Sequence, residues 1–471
     1  MKRGSMRVGI VRTVLIAGLT IGPINVTDAG DSSPTTAHTG QCSSPYKNKP
    51  ISAKALRALV ASHGLWLEER NNPERQRADL CRADLREAAL AGANLERARL
   101  EGAILRKANL YQSSLGQASL AGADLTKAVL EDSNLSGADL RHARLSGANL
   151  FRSIGDEAAL YNAVLVGARL DESTFERAHF EGADLSSADL TNANFVDSYF
   201  YGATLQRAVF SGADLTGADL RRTVLTKADF HQANLQGTLL DSARLDHAQL
   251  VEADLESAYL DEANLQEANL RDAILRGADL RHANLRGAGL RHADLEGANL
   301  EGASLVKANL QSAKLRMAIL YHADLDEADF HDTHLNRAVL IGARGSHTIF
   351  TKSDLSEIYA PQASLRRAQL NGANLEAANF VGADLSGSNF TDANLTHANL
   401  QETTLREATL AGANLAGARL ESADMRGATL ISVTGLTQAQ LDTACVDAQT
   451  QLPPELSRPA PCNPATKEAR P

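Results

Sequence analysis

Leucine occupies residue 80 and then nearly every fifth residue to 430, giving 71 consecutive centres without an insertion. Fifty-seven of them are Leu and ten are Phe; the exceptions are Gly155, Gly345, Ala360 and Met425. Two residues before each centre stand 58 Ala, seven Ser and five Thr, with Ile358 the remaining one. The repeated unit is thus Ala-(Asp/Asn)-Leu-x-x, as in Ala123-Asp124-Leu125 or Ala298-Asn299-Leu300. Five is neither the period of a helix nor that of a strand. A chain that returns a large apolar group so often must turn repeatedly about an axis. Each unit then forms one side of a coil, with Leu and Ala inward and the other three residues in water. Ala belongs there because two inward residues per side leave room for only one large group at native packing density. Asp or Asn fills 34 of the 71 pre-leucine positions, where a short polar side chain bonds nearby backbone and helps turn the corner.

The phenylalanines count the sides. Phe175/Phe195, Phe180/Phe200, Phe210/Phe230 and Phe330/Phe350 are four pairs, each twenty residues apart, and only Phe380 and Phe390 lack such a partner. Large rings are best accommodated where the coil above or below also carries one, so that they stack. Ser113, Ser133, Ser153 and Ser173 recur at twenty as well. Four five-residue sides therefore make one turn. Charges follow the same register: Glu256, Arg276 and Glu296 form one column, Asp261, Arg281 and Glu301 another. Opposite signs on adjacent turns, about 4.8 Å apart, are expected to pair along these columns.

With this motif the chain resembles the pentapeptide-repeat proteins. The resemblance covers residues 78–432, and it implies an all-β solenoid: a right-handed quadrilateral β-helix, here of about 18 coils and roughly 85 Å long at inter-strand spacing. His63-Gly64-Leu65-Trp66-Leu67 before the repeats, and Gly435-Leu436-Thr437 with Leu441 after them, are similar to the flanks of bacterial members with short α-helical caps at both ends. Such caps close the otherwise open ends of a solenoid.

The ends divide further. Residues 1–29 read as a signal peptide: Lys2, Arg3, Arg7 and Arg12 precede a mostly apolar stretch from Val14 to Val26, too short for a comfortable span. The alternative is an uncleaved anchor; no other segment is able to cross a bilayer. Residues 30–51 are rich in Ser, Thr, Pro and Gly and read as linker. In the cap at 52–77, Ser52 is placed to start a helix through Ala53–Arg70, and Pro73 ends the segment. In 433–471, Thr437-Gln438-Ala439-Gln440 is a capping box, followed by an extended Pro-rich tail from Leu452 to Pro471.

Composition changes the picture in two ways. Aromatic residues are only 4% of the 471 residues and Trp occurs once, so the core is built from small pieces. Lys+Arg 47 against Asp+Glu 57 leaves a net charge of −10, too mild for a basic nucleic-acid groove. Cys42, Cys81, Cys445 and Cys462 all lie outside the inner repeats. In an exported chain they suggest disulfides; three pairings are open, proximity favours Cys42–Cys81 and Cys445–Cys462, and four free thiols are the alternative.

Breaks and decorations are few. Gly345 and Gly155 leave gaps, Ile358 and Ala360 exchange the small and large inward residues, and Pro361 is the one proline within the repeats. Residues 343–362 are therefore expected to form one irregular coil. Tyr161, Tyr199, Tyr201, Tyr259, Tyr321 and Tyr359 all flank centres at multiples of twenty. They share one side and make it the candidate docking face, against a default of surface decoration.

A filled interior offers no pocket where a nucleophile, a base and stabilising donors converge. His142, His282 and His322 share a column but stand two or more coils apart, too far for one metal. His331-Asp332-Thr333-His334 divides between different directions. No catalytic, metal or cofactor site is expected.

The leading reading is an exported, non-enzymatic binding or scaffold rod, periplasmic or secreted, with an unidentified protein partner or a second copy of itself and no nucleic acid. The resemblance also implies an alternative, a DNA-mimicking modulator of a type II topoisomerase such as gyrase. Against it stand the near-balanced charge and a basic belt of Arg271, Arg276, Arg281, Arg286 and Arg291. A secreted enzyme with a site at 343–362 is the third reading.

Overall fold

The computed structural model describes residues 42–72 and 76–460, which belong to one compact unit, 42–471. The segments 1–29 and 30–41, Pro73 and Cys462 lie outside the described residues. From Asp79 to Asn414 each pre-leucine residue makes a parallel bridge to the residue twenty positions on, beginning with Asp79↔Arg99 and continuing through Asn414↔Thr434. Every side of the coil contributes one such bridging residue, so a ladder runs up each of four sides. Leu centres and the Ala two before them are buried, except the partly exposed Ala88.

The backbone explains why the unit has five residues. Leu80 N–H donates to Arg99 O (2.8 Å), Arg82 N–H to Glu101 O (2.9 Å), and Arg99 N–H back to Ala78 O (2.9 Å). A fourth bond closes each corner, Ala83 N–H to Leu80 O at 3.0 Å. The second central residue of that corner has positive φ, as at Arg82 (52°) and Gly92 (66°), which defines a type II turn. One N–H per repeat remains, on the residue after the leucine. Asp and Asn before the leucine accept it: Tyr111 N–H donates to Asn109 Oδ1 (3.1 Å) and Thr126 N–H to Asp124 Oδ1 (3.1 Å). Where no Asp or Asn is present, the coil below can substitute, as Asp156 Oδ1 does for Glu176 N–H at 3.0 Å.

Asn109→Ala is therefore expected to cost about 1 kcal/mol, and Tyr111→Pro in that background to recover most of it. Proline removes the orphaned donor and suits the first central position of a type II turn. Thermal melts of the single and double variants check this.

The same bookkeeping corrects the expectation of an irregular coil at 343–362. The bridges Arg344↔Ser364, Ile349↔Gln369 and Tyr359↔Asn379 continue in register. Pro361 occupies the one position whose N–H the ladder does not use, and its carbonyl still accepts from Gly342 N–H at 3.1 Å. Ile358 and Ala360 are both buried, so the exchange conserves core volume. Neither glycine leaves a gap. A Cβ on Gly155 would fall inside the Phe175 ring, and one on Gly345 would meet Thr348 Oγ1, with Leu365 Cδ2 at 3.0 Å and Leu325 Cβ at 3.2 Å. Neighbouring coils fill both spaces.

All four phenylalanine pairs stack, with centroids 6.1, 4.7, 4.8 and 5.0 Å apart in chain order. Most inward hydroxyls donate to the carbonyl of a nearby centre, as Thr223 Oγ1 does to Leu220 O at 2.6 Å, while those of Ser113 and Ser153 are buried without a partner. Charges pair differently from the expected columns. Arg276 reaches diagonally to Asp294 (2.8 Å), and Arg281 turns back to Asp279 in its own repeat (2.7 Å). Straight pairs across one coil occur elsewhere, such as Arg152–Asp132 at 2.9 Å and Arg316–Glu296 at 2.9 Å. Long side chains lean along the coil, so the diagonal neighbour competes with the one directly above.

At the N-terminal end, helix α1 (Ala53–Glu68) is capped by Ser52, whose hydroxyl accepts from Ala55 N–H. It ends two residues before the expected Arg70. Leu56 joins the core while Leu65 is exposed. His63 is buried, with Nε2 2.9 Å from Glu96 O and Nδ1 3.1 Å from Ala78 N. Burial lowers its pKa, so the neutral ring donates at Nε2 and accepts at Nδ1. From Cys42 onward the expected linker is part of this cap. Lys47 pairs antiparallel with Ala83 and Pro50 parallel with Asp84, and Cys42 is disulfide-bonded to Cys81 with Cα atoms 5.7 Å apart. At the other end the capping box forms as read, Thr437 with Gln440, and opens α2 (Gln438–Leu441). Leu441 is buried beneath the last coil. Asp424↔Cys445 and Thr429↔Gln451 extend the ladder past twenty residues as the coil closes. Among the described residues no helix is long and apolar enough to cross a membrane.

Candidate interaction face

The side whose centres fall at 160, 180, 200 and so on presents two outward columns. One holds the bridging residues, among them His179↔Tyr199, Leu239↔Tyr259 and Val339↔Tyr359. The other holds the corner residues after each centre, which include Tyr161, Tyr201 and Tyr321. The six tyrosines thus share a side, as the period requires, but they do not form one surface.

Three lie together in the lower part. His179 stacks between Tyr161 (5.0 Å, 19°) and Tyr199 (4.7 Å, 9°). Glu181 Oε1 holds the imidazole Nδ1 at 3.1 Å. Burial, reinforced by the nearby Glu181 charge, pushes the Tyr161 hydroxyl up to about 12. Tyr201 has the guanidinium groups of Arg221 and Arg222 each 5.9 Å from its centroid, within cation–π range. Tyr259 stands apart, between Leu239 and Asp279 in its column.

Tyr321 and Tyr359 belong to an upper patch that the aromatic pattern alone did not disclose. Ile319 (39% exposed) and Tyr359 (45%) flank the half-buried Val339 in the bridging column. Beside them, Tyr321, Ile341 and Pro361 form the corner column, all partly exposed. Aliphatic residues at twenty-residue spacing were the available signal; reading only the rings passed over them.

Asp241 and Asp261 stand one coil apart between these clusters. Burial holds the Asp241 carboxyl above its ordinary value; its own backbone N–H opposes this and Asp261 adds repulsion. A carboxyl so shifted holds its proton more tightly folded than unfolded. Its contribution is present below the unfolded value near 3.9 and is lost as pH rises through the folded value. Asp241→Asn is expected to raise the thermal midpoint at pH 7 and to change it little at pH 3.

Other places carry less. The basic belt is largely neutralised, since Arg276 and Arg281 are paired as above and Arg271 meets Asp272 at 3.1 Å. A groove of about 560 Å³ lies between Pro50–Arg57 and Asp84–Ala89. It is open, with Asp84 tied to Arg86 at 2.7 Å and Glu87 to Lys107 at 3.5 Å. Thr333, between His331 and His334, points into the core and donates to Phe330 O. Among the described residues no group of three His, Cys, Asp or Glu is arranged to hold a metal ion.

A four-sided coil with an aliphatic interior, a corner every fifth residue and function left to its outer sides defines a β-solenoid of pentapeptides. The family model for pentapeptide repeats (eight copies) matches residues 76–150, 158–320, 323–359 and 362–427, well over half of the chain. The chain belongs to the pentapeptide-repeat family, whose β-helix is right-handed and quadrilateral. The unmatched intervals include Gly155 and Ala360.

Among solved structures it is similar to HetL from the cyanobacterium Nostoc, a pentapeptide-repeat protein involved in regulating heterocyst differentiation. The identity is 38% over 47% of this chain and 89% of that one, with a TM-score of 0.23. QnrB1, a plasmid-mediated fluoroquinolone resistance protein, is 23% identical over 35% of this chain and 78% of its own, with a TM-score of 0.18. A thylakoid-lumen pentapeptide-repeat protein of Arabidopsis thaliana is 29% identical over 22% of this chain and 65% of its own, with a TM-score of 0.11. A search of curated proteins finds no match.

Proposed function

We propose that this chain is a non-enzymatic binding or scaffold protein, acting in the cell envelope through the outer sides of a β-helix of about 18 coils. The observation that carries the reading is the contrast between inside and outside. The interior is filled by Leu, Phe and Ala, while one side concentrates the exposed aromatic and aliphatic groups described above. Pentapeptide-repeat proteins are generally non-catalytic and bind other proteins, in keeping with this contrast. The Cys42–Cys81 disulfide supports an oxidising compartment, as do the signal-like residues 1–29. Cys445 is disulfide-bonded too, and pairing with Cys462 remains the proposal there.

Modulation of a type II topoisomerase by DNA mimicry is the competing reading, against which stands the near balance of 57 acidic and 47 basic residues. Its further weakness here is that many carboxylates are tied to arginines, as at Asp139–Arg141 and Asp219–Arg221, both 2.7 Å.

Proximity labelling in the native host decides. The wild type should label envelope proteins, and a variant with all six tyrosines changed to serine should lose them. Labelling of gyrase by a cytoplasmic, unprocessed chain would select the other reading, and unchanged labelling by the variant would remove the tyrosine side from the proposal.

A further inference from the structure

The tyrosine side has a property that its two outward columns show only when taken together. In every coil the bridging residue and the corner residue two positions on never carry the same charge. Where both are charged they are opposite, as in Asp139–Arg141, Asp219–Arg221 and Asp279–Arg281, each joined at 2.7 Å. Towards the two ends the signs exchange columns, at Arg99–Glu101 (3.5 Å) and Arg419–Glu421 (3.6 Å). Two of the other sides are not built this way: Asp254/Glu256, Asp294/Glu296 and Lys314/Arg316 on one, and Asp324/Asp326 on another, are like-charged pairs in equivalent places, and the remaining side has a single doubly charged coil, Arg169/Asp171.

Consider two copies packed on this side with a two-fold axis parallel to the coil. Each bridging residue then faces the corner residue of the same coil in the other copy. Carboxylates meet arginines at every doubly charged coil, whichever column holds which sign. Each pair becomes a square of alternating charges, and no like charges are opposed. In the upper patch Val339 meets Ile341, Ile319 meets Tyr321 and Tyr359 meets Pro361, which gives an apolar centre between charged coils. Aliphatic and aromatic groups within a polar surround are what a specific interface requires.

We propose that the occupant of this side is a second copy of the chain, docked in parallel about a two-fold axis along the coil. This rests on the docking-face reading and names the partner. The extent is adequate: a strip about 10 Å wide along about 85 Å supplies about 800 Å² per copy, the size of a standard interface. An antiparallel pair is the geometrical rival. Several of its registers, among them those centred between coils 220 and 240 and between coils 340 and 360, also avoid like charges, but each sets at most one doubly charged coil against another, whereas parallel packing complements all five.

Cross-linking of the full, oxidised chain separates these cases. An equal mixture of Val339→Cys and Ile341→Cys chains should form a disulfide-linked dimer, while a mixture of Val339→Cys and Tyr359→Cys chains should not. Sedimentation of the unmodified chain should show a dimer, and Asp279→Lys, which opposes like charges across the axis, should weaken it about tenfold. A monomer at every accessible concentration, or linkage in the second mixture alone, overturns the proposal. If the chain is monomeric while the six-tyrosine variant still loses its envelope labelling, the side serves a foreign protein and only the second-copy occupant fails.

Discussion

Replacing Gly155 by Leu, the residue the repeat asks for at that position, is expected to destabilise the coil by about 3 kcal/mol. The space that looks vacant in the sequence is occupied by the Phe175 ring from the next coil. A leucine there must displace a ring packed against Phe195 and Phe180, whose centroids are 6.1 and 5.6 Å away, and a close-packed interior cannot absorb that volume. Changing Phe175 to Leu in the same chain vacates the space. The double variant, with a regular leucine at both centres, is expected to return to within about 1 kcal/mol of the original. Solenoids open locally, so hydrogen exchange of peptides spanning residues 150–200 is the suitable measurement. Should Gly155→Leu be neutral, or the second change fail to rescue it, the ring is not where it has been placed.

Phe195→Ala is expected to cost about 4 kcal/mol. Phe195 is the hub of the aromatic cluster: it stacks on Phe175, meets Phe180 and Phe200 edge-on at 5.8 and 5.4 Å, and reaches Phe210 at 6.3 Å. Deleting it leaves a cavity touching four rings, and neighbours held by inter-coil hydrogen bonds have little room to close on it. Phe390 is equally buried, yet it belongs to no stacked pair. Phe390→Leu, which only restores the usual centre, is expected to cost under about 1.5 kcal/mol. Chemical denaturation followed by exchange at both sites measures the contrast. Equal losses would mean that the ring pairs add nothing to burial.

These expectations also mark what the sequence carried. A period of five with phenylalanine pairs at twenty was enough to give four sides, an inward Leu/Ala set and the side on which each tyrosine stands. The role of Asp and Asn before the leucine followed from their chemistry, and the structure assigns them the one N–H the ladder leaves over. What could not be read depends on how side chains run along the axis. Gly155 looked like a gap because its filler belongs to another coil. Residues 343–362 looked irregular because the unused N–H beneath Pro361 is visible only once every other donor has been accounted for. Arg276 was assigned to Glu256 and Glu296 directly above and below, but a long side chain reaches Asp294 on the diagonal. Residues 42–51 read as linker because a disulfide and two bridges, not an apolar pattern, hold them to the first coil. At the candidate face the rings were legible, and the aliphatic residues that join Tyr321 to Tyr359 were missed because single exposed Val and Ile are common on any surface.

The twenty-residue turn is tested most directly by distances between spin labels in one column. Gln206, Arg286 and Arg366 are exposed corner residues, four and eight coils apart. Labelled in pairs through introduced cysteines, they should lie about 19 Å and about 38 Å apart, a rise of about 4.8 Å per twenty residues. Two distances that fail to double, or that stay alike as in a globule, would contradict the coil.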